Sequence, residues 1–215
     1  MKTGNKKHRY ASVCLLTAFA LWTAAVRRID LAPIGPENTT VGFASVNRFV
    51  HALTGVHMSL YVLSDWLSLV PLVIILLFGL LGLSQWVRRK KLKYVDRSIL
   101  ALGAFYIAVM GAFVFFEVNA VNYRPILIDG VLEASYPSST TMLVMTVMPT
   151  AIMQLRERVN NLGIRQWAGA VMAVFTIAMV LARLISGVHW FSDVVGGALL
   201  SAGLVYMYSG VAGNS

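Results

Sequence analysis

Six long apolar runs constrain what this chain can fold into. They cover residues 10–26, 66–87, 98–116, 138–155, 166–184 and 189–208. Each is close to the ~20 residues that cross a hydrocarbon core as a helix. Inside lipid, continuous runs of this kind satisfy their backbone groups only as helices. The predicted fold class is an all-α integral membrane bundle of six transmembrane helices. Composition agrees. Only 13% of residues are charged and 58% are hydrophobic, against about 25% charged in a soluble domain. The net charge of +9 does not point to nucleic acid, because the basic residues sit in short flanks and form no stripe on a polar domain. The single cysteine, Cys14, lies in the first run, where it forms no internal disulfide and joins no metal-ligand cluster.

The basic residues also predict an orientation. Lys2, Lys6, Lys7 and Arg9 precede the first run. Arg88, Arg89, Lys90, Lys91, Lys93 and Arg97 lie between the second and third. Arg156, Arg158 and Arg165 lie between the fourth and fifth. These are 13 of the 18 Lys and Arg. Placing them inside makes both termini cytoplasmic. Arg27, Arg28, Arg48, Arg124 and Arg183 then fall outside, together with His189. The first run behind its lysines also resembles a signal peptide. Arg27-Arg28 directly after it, with no small-x-small site, favours a retained span.

In the first outer loop, Val46, Phe49, Val50 and Leu53 recur at three and four, which predicts a short amphipathic helix. It either lies in the lipid interface or covers the bundle. Asn38-Thr39-Thr40 is formally a glycosylation sequon and a weak signal. Trp66, Trp86, Trp167 and Trp190 read as interfacial anchors, as do His51 and His57. Met142, Met145 and Met148 read as packing or lipid contacts, and Pro149 as a kink. Asp129 and Glu133 read as solvated loop charges.

Three polar clusters interrupt the apolar pattern on the same predicted face. The first is Glu117-Val118-Asn119-Ala120-Val121-Asn122-Tyr123-Arg124-Pro125. The second is Tyr136-Pro137-Ser138-Ser139-Thr140. The third runs from Arg183 through Gly187 and His189 to Asp193. Ionisable residues at the edge of a span are costly and point to function. His189 and Asp193 are four apart, so on a helix they share a face, and a carboxylate there can orient an imidazole. Arg183 offers a fork of donors to a phosphate. Pro137-Ser138 opens a helix with a hydroxyl able to cap it, and such an N-terminus attracts anions.

These clusters resemble the signature of the type-2 phosphatidic acid phosphatase and haloperoxidase superfamily, in its membrane lipid phosphatase branch. That signature reads Lys-x6-Arg-Pro, Pro-Ser-Gly-His and Ser-Arg-x5-His-x3-Asp. The resemblance divides the single membrane domain, residues 1–215, into a first span with outer loop (1–65) and a phosphatase-like core (66–208). It implies that His189 is the nucleophile forming a phosphohistidine and that Asp193 orients it. It implies that Arg124 and Arg183 bind and stabilise the phosphoryl oxygens. Ser138, Ser139, Thr140, Gly187, Glu117 and Tyr123 would line the substrate. No metal or other cofactor is implied. The partners would be the bilayer and a phospholipid or isoprenoid lipid phosphate, such as phosphatidate, phosphatidylglycerol phosphate or undecaprenyl diphosphate. The setting would be a bacterial plasma membrane with the site facing outward.

The chain departs from the signature at three points. Glu117 stands at the lysine position, Ser139-Thr140 replace Gly-His, and Ala182 precedes Arg183. The missing histidine is the family's general acid, a role worth about 10²–10⁴-fold. Three readings follow: a phosphatase in which Glu117 supplies the proton, a diphosphatase whose leaving group needs little protonation, or a headgroup-binding site without turnover. A phosphotransferase that passes the phosphoryl group to an acceptor other than water is a further alternative. Pairing of Glu117 with Arg124 is the purely structural alternative for that carboxylate.

Overall fold

In the computed structural model, residues 2–212 are described, with side chains from Lys6 onward. Eight α-helices follow one another: α1 (Lys2–Val26), α2 (Ala44–Thr54), α3 (Met58–Leu67), α4 (Leu69–Arg89), α5 (Arg97–Val118), α6 (Ser139–Arg158), α7 (Leu162–Ile185) and α8 (Phe191–Ala212). Among the described residues the only β pairing is three isolated bridges, so the all-α expectation holds.

Each apolar run became a helix, but they are not alike. Five spans are long and apolar enough to cross a membrane: 6–26, 58–89 (α3 with α4), 97–118, 162–185 and 191–212. The exception is α6, which is 20 residues long and carries Thr140, Thr141, Thr146, Thr150 and Gln154, all buried. The hydroxyls of Thr141, Thr146 and Thr150 and the Gln154 amide are bonded inside the protein. Thr146 Oγ1 donates to Met142 O (2.7 Å), Thr150 Oγ1 lies 3.0 Å from Tyr106 Oη, and Gln154 Nε2 donates to Tyr208 Oη (2.6 Å). Unbonded burial of such groups is costly, and these bonds are why a polar helix sits at the centre. Met142 and Met148 pack there, and α6 runs on through Pro149.

The second span begins earlier than expected. Helix starts at Met58, not near Trp66, and breaks at Ser68. Pro71 explains the break: it has no N–H to bond Leu67 O, and its ring crowds that carbonyl. The extra helix α3 brings Tyr61 and Asp65 toward Arg183 at the end of α7, a position no apolar count revealed.

α8 packs against α1, α5 and α6, and α7 against α6. At the α1–α8 crossing Ser12 Oγ donates to Gly203 O (2.9 Å). A Cβ on Gly203 would meet the Leu16 side chain at 2.7 Å, so any larger residue would force Leu16 to move. Phe19, Tyr136, Met142 and Leu200 form a core cluster beneath the ends of α5, α6 and α8.

The chain direction puts the C-termini of α5 and α7 and the N-termini of α6 and α8 at one end. Two connections there build the site. The α5–α6 connection folds back on itself at Asp129-Gly130, both with positive φ (51° and 76°). This is the backbone that Asp-Gly favours between two paired chain segments. Ile128 and Val131 bond each other across it, and Arg124 N donates to Glu133 O (3.1 Å). The α7–α8 connection is the short turn 186–190.

Candidate active site

Asp193 shapes the second connection. It is the third residue of α8, and its Oδ2 accepts from Trp190 N (3.0 Å). This is the reach-back half of a capping box. It stops the helix at Phe191 and leaves His189 in the turn, not on the helix face as the spacing suggested. The two nevertheless remain adjacent, with His189 Nδ1 3.9 Å from Asp193 Oδ2. That is an ion-pair distance rather than a hydrogen bond. Asp193 Oδ1 accepts from Asn122 Nδ2 (3.1 Å). Both residues are almost completely buried.

Arg124 reaches His189 from the other side, with Nη1 3.5 Å from His189 Nε2. A guanidinium only donates, so Nε2 is the acceptor and the ring proton belongs on Nδ1, toward Asp193. Burial holds the imidazole down at about 4. Asp193 pulls upward, and the charges of Arg124 and Arg183 add to the lowering. At ordinary pH His189 is therefore neutral, with a lone pair on Nε2 facing Arg124.

Arg183 is 2% exposed. Its Nη2 bonds Asp65 Oδ1 (2.8 Å), while Nε and Nη1 are buried without a partner. Tyr61 lies between the two arginines, with the Arg183 guanidinium 5.0 Å and that of Arg124 5.8 Å from its ring centre. Both distances are within cation–π range of the ring. Gly187 closes the turn at φ 69°, and a Cβ there would lie 2.0 Å from Gly55 O.

A cavity of about 240 Å³ opens beside these groups. Glu117, Arg124, Glu133, Ser135, Ser139 and His189 line it, with Phe113, Phe116 and Tyr136. It falls below the ~300 Å³ at which pockets enclose a whole small ligand, so it suits a headgroup and not a lipid. Through Phe113, Ser139 and Met142 it adjoins an apolar groove of about 290 Å³ between α4, α5 and α6. That groove in turn shares Ile75, Tyr106 and Met110 with an apolar furrow of about 690 Å³ between α4 and α5.

Not every expected site residue faces the cavity. Ser138 is the N-cap of α6, but its hydroxyl makes no cap bond and instead accepts from Thr141 Oγ1 (3.1 Å). Thr140 turns to the apolar groove beside Asp65 and Ser68. Tyr123 offers its carbonyl to Trp190 Nε1 (2.8 Å), and its ring is not among the cavity walls. Glu117 is exposed at the rim.

Some bland readings need correction. Glu133 is not a free loop charge: its Oε2 lies 2.8 Å from Arg124 Nε, a pairing imposed by the Asp129-Gly130 fold-back. That leaves Glu117 outside the pair proposed for it. Trp190 is no interfacial anchor. It is 3% exposed because its indole seals the turn. His51 is tied to the same turn, with Nε2 3.1 Å from Gly187 O and its ring against Trp190. Trp66, Trp86 and Trp167 do face outward. Tyr61, Asp65 and Asn47 touch the site from before residue 66 and had no motif to announce them. For Glu133, the Asp-Gly pair between apolar residues was the available signal.

Apolar helices around a buried Arg–His–Asp constellation define an integral membrane protein with one polar site at the end of its bundle. Residues 104–214, just over half of the chain, match the PAP2 superfamily, and the chain belongs to that superfamily. The match bears out the likeness carried by the three clusters. No curated protein matches the chain. Among solved structures it is similar to the first transmembrane PAP2-type phosphatidylglycerolphosphate phosphatase from Bacillus subtilis. The identity is 20%, the TM-score is 0.56, and the alignment covers 94% of this chain and 95% of that one.

Proposed function

We propose that this protein hydrolyses a lipid phosphate or diphosphate at the extracytoplasmic face of a membrane, through a phosphohistidine. The observation that carries the reading is Arg183, a buried cation with two unpartnered donors next to a neutral buried histidine. Buried donors without partners are costly, and an incoming phosphoryl group would supply the acceptors. His189 Nε2 attacks phosphorus and the bond to the leaving oxygen breaks. Asp193 lies beside the Nδ1 proton and stabilises the charge that forms on the ring. Arg124 and Arg183 hold the phosphoryl oxygens. Water then attacks phosphorus, the P–N bond breaks, and phosphate leaves.

The apolar groove and furrow suit the lipid tail, which lets the headgroup alone enter the cavity. Diphosphates are the favoured class. Thr140 faces the groove and Glu117 stands exposed at the rim, so no buried acid meets the leaving oxygen. A phosphate leaving group needs little protonation. The structural neighbour is a phosphatidylglycerolphosphate phosphatase, so that monoester belongs in the substrate panel. In this reading α6 is a sixth span, enclosed by its neighbours. Both termini are cytoplasmic, because the site lies opposite the end that carries 13 of 18 basic residues.

Purified protein incubated with lipid monophosphates and diphosphates tests the reading. Phosphate release with an acid-labile, base-stable phosphoenzyme that disappears in His189→Ala is expected. No release from any lipid in the panel would leave a headgroup-binding protein instead. A phosphorylated acceptor with little free phosphate would make it a transferase.

A further inference from the structure

The turn that carries His189 is held by residues far upstream. Ser192 N donates to Asn47 Oδ1 (3.0 Å), and Asn47 Nδ2 donates back to Ser192 Oγ (2.9 Å). The same Nδ2 donates to Gly42 O (2.7 Å). Trp22 Nε1 donates to Ser192 O (3.1 Å), and His57 N to Ser186 O (3.0 Å). All these partners lie outside the segment that matches the superfamily. Asn47 has no exposed surface. Its two hydrogen bonds to Ser192 fix the residue next to Asp193, whose Oδ1 is also 3.5 Å from Ser192 Oγ.

Asn47 sits on α2, and α2 is amphipathic in an unusual sense. Ala44, Asn47 and His51 turn inward toward α8 and the turn, while Val46, Phe49 and Leu53 are 48%, 68% and 75% exposed on the outer side. The outer side is where water would demand polar groups. Arg48 lies on α2, and Arg27 and Arg28 directly precede Ile29, whose carbonyl accepts from Phe43 N at the start of α2; all three arginines are exposed, and basic residues of this kind attract anionic headgroups. Since α2 packs on the start of α8, it sits at the level where the spans meet the surface.

We propose that Asn47 is a positioning residue for the phosphoryl-transfer turn, and that a lipid surface seats it by binding the Val46–Phe49–Leu53 face of α2. The proposal rests on the phosphohistidine reading for its rate effects. Asn47 touches no substrate group, so its loss misplaces the Asp193–His189 pair without weakening headgroup binding. A misplacement of about 1 Å can cost on the order of 10²-fold.

In lipid vesicles, Asn47→Ala is expected to lower kcat by about 10- to 100-fold with KM unchanged. Ser192→Ala is expected to lower kcat as well, and the double variant should lose less than the sum of the two single losses, because the variants share the Asn47 Nδ2–Ser192 Oγ bond. Additive losses, or a change in KM alone, would overturn the positioning role. The lipid contact has its own test. A spin label on Phe49→Cys in a Cys14→Ser background should collide with oxygen more readily than with a water-soluble nickel complex. Phe49→Gln with Leu53→Gln should lower kcat several-fold at unchanged KM. A label fully accessible to nickel sinks the lipid contact. If the wild type releases no phosphate, the hydrolase reading fails on its own account. The Asn47 role is then decided by hydrogen exchange at the Ser192 amide, which Asn47→Ala should accelerate and which, if unchanged, refutes it.

Discussion

The two sides, or walls, of the site contrast sharply, although Arg183 and Asp193 stand behind the cavity lining. On the α7–α8 side, Arg183, His189 and Asp193 are each at most 3% exposed, and the turn beside them is held by Asp193 Oδ2 on Trp190 N and by Asn47 Oδ1 on Ser192 N. On the α5–α6 side, Glu117 is exposed, Thr140 faces elsewhere, and Glu133 occupies Arg124. The first wall is built for one geometry. The second has exchanged a cation and an acid for carboxylate and hydroxyl side chains. In the proposed mechanism, attack at phosphorus depends on the first wall, whereas the second bears on which leaving groups can depart. Substrate range can therefore drift while the nucleophilic half stays fixed.

The largest effect that would sharpen this contrast is at His189. His189→Ala should lower phosphate release on the order of 10⁴-fold or more, measured with single-turnover assays, while the protein stays folded. Arg183→Ala should cost about 10²–10³-fold in kcat. Its thermal midpoint should move little, because the Asp65 side chain it leaves behind is 61% exposed. Arg183→Lys should recover only part of the rate, since an ammonium cannot reproduce the fork. A full recovery would show that charge alone matters on this wall.

The acidity of His189 gives a pH test. Its value of about 4 places the acid limb of kcat/KM near pH 4, not near the ordinary imidazole value of about 6.5. The sign for stability follows. The unfolded chain takes up a proton near 6.5 and the folded one only near 4, so stability is intact above 6.5 and erodes as pH falls from 6.5 toward 4. An acid limb at 6.5 would mean that the ring is not desolvated as the packing indicates.

The opposite wall should respond less. Glu117→Gln should leave diphosphate hydrolysis within a few-fold and reduce monophosphate hydrolysis about tenfold at most, below the usual worth of a committed general acid. A loss of 10²-fold or more on monophosphates would make Glu117 that acid and erase the contrast. Equal, unimpaired rates on both would remove it from proton transfer altogether. The smallest change should come from Glu133→Gln. It frees Arg124 from its pairing, and inhibition by vanadate should tighten by a few-fold.

The sequence made much of this visible, for identifiable reasons. Five spans could be read because lipid-facing helices must be apolar all round. α6 was legible by length alone, since its threonines and Gln154 find partners only in the assembled bundle. The Arg124, Arg183, His189 and Asp193 set stood out because charge near a span is rare. Asp65, Tyr61 and Asn47 did not, because their neighbours in space are more than 60 residues away in sequence. The helix expected from His189 onward starts two residues later, as Asp193 caps it from within. Glu133 was lost to a plausible composition argument, although Asp129-Gly130 had marked the fold-back that delivers it to Arg124.

The polarity of α6 has a consequence for how the protein is made. On the six-span reading, α6 leaves the ribosome before α7 and α8 exist to cover it. Too little of its surface is apolar for it to remain in lipid alone. Only residues 159–161 separate it from α7, so entry of the more hydrophobic α7 draws α6 in as one hairpin. A chain arrested just after Arg158 should leave that helix outside the bilayer, and membrane integration of the catalytic end thus waits on the last two helices to be synthesised.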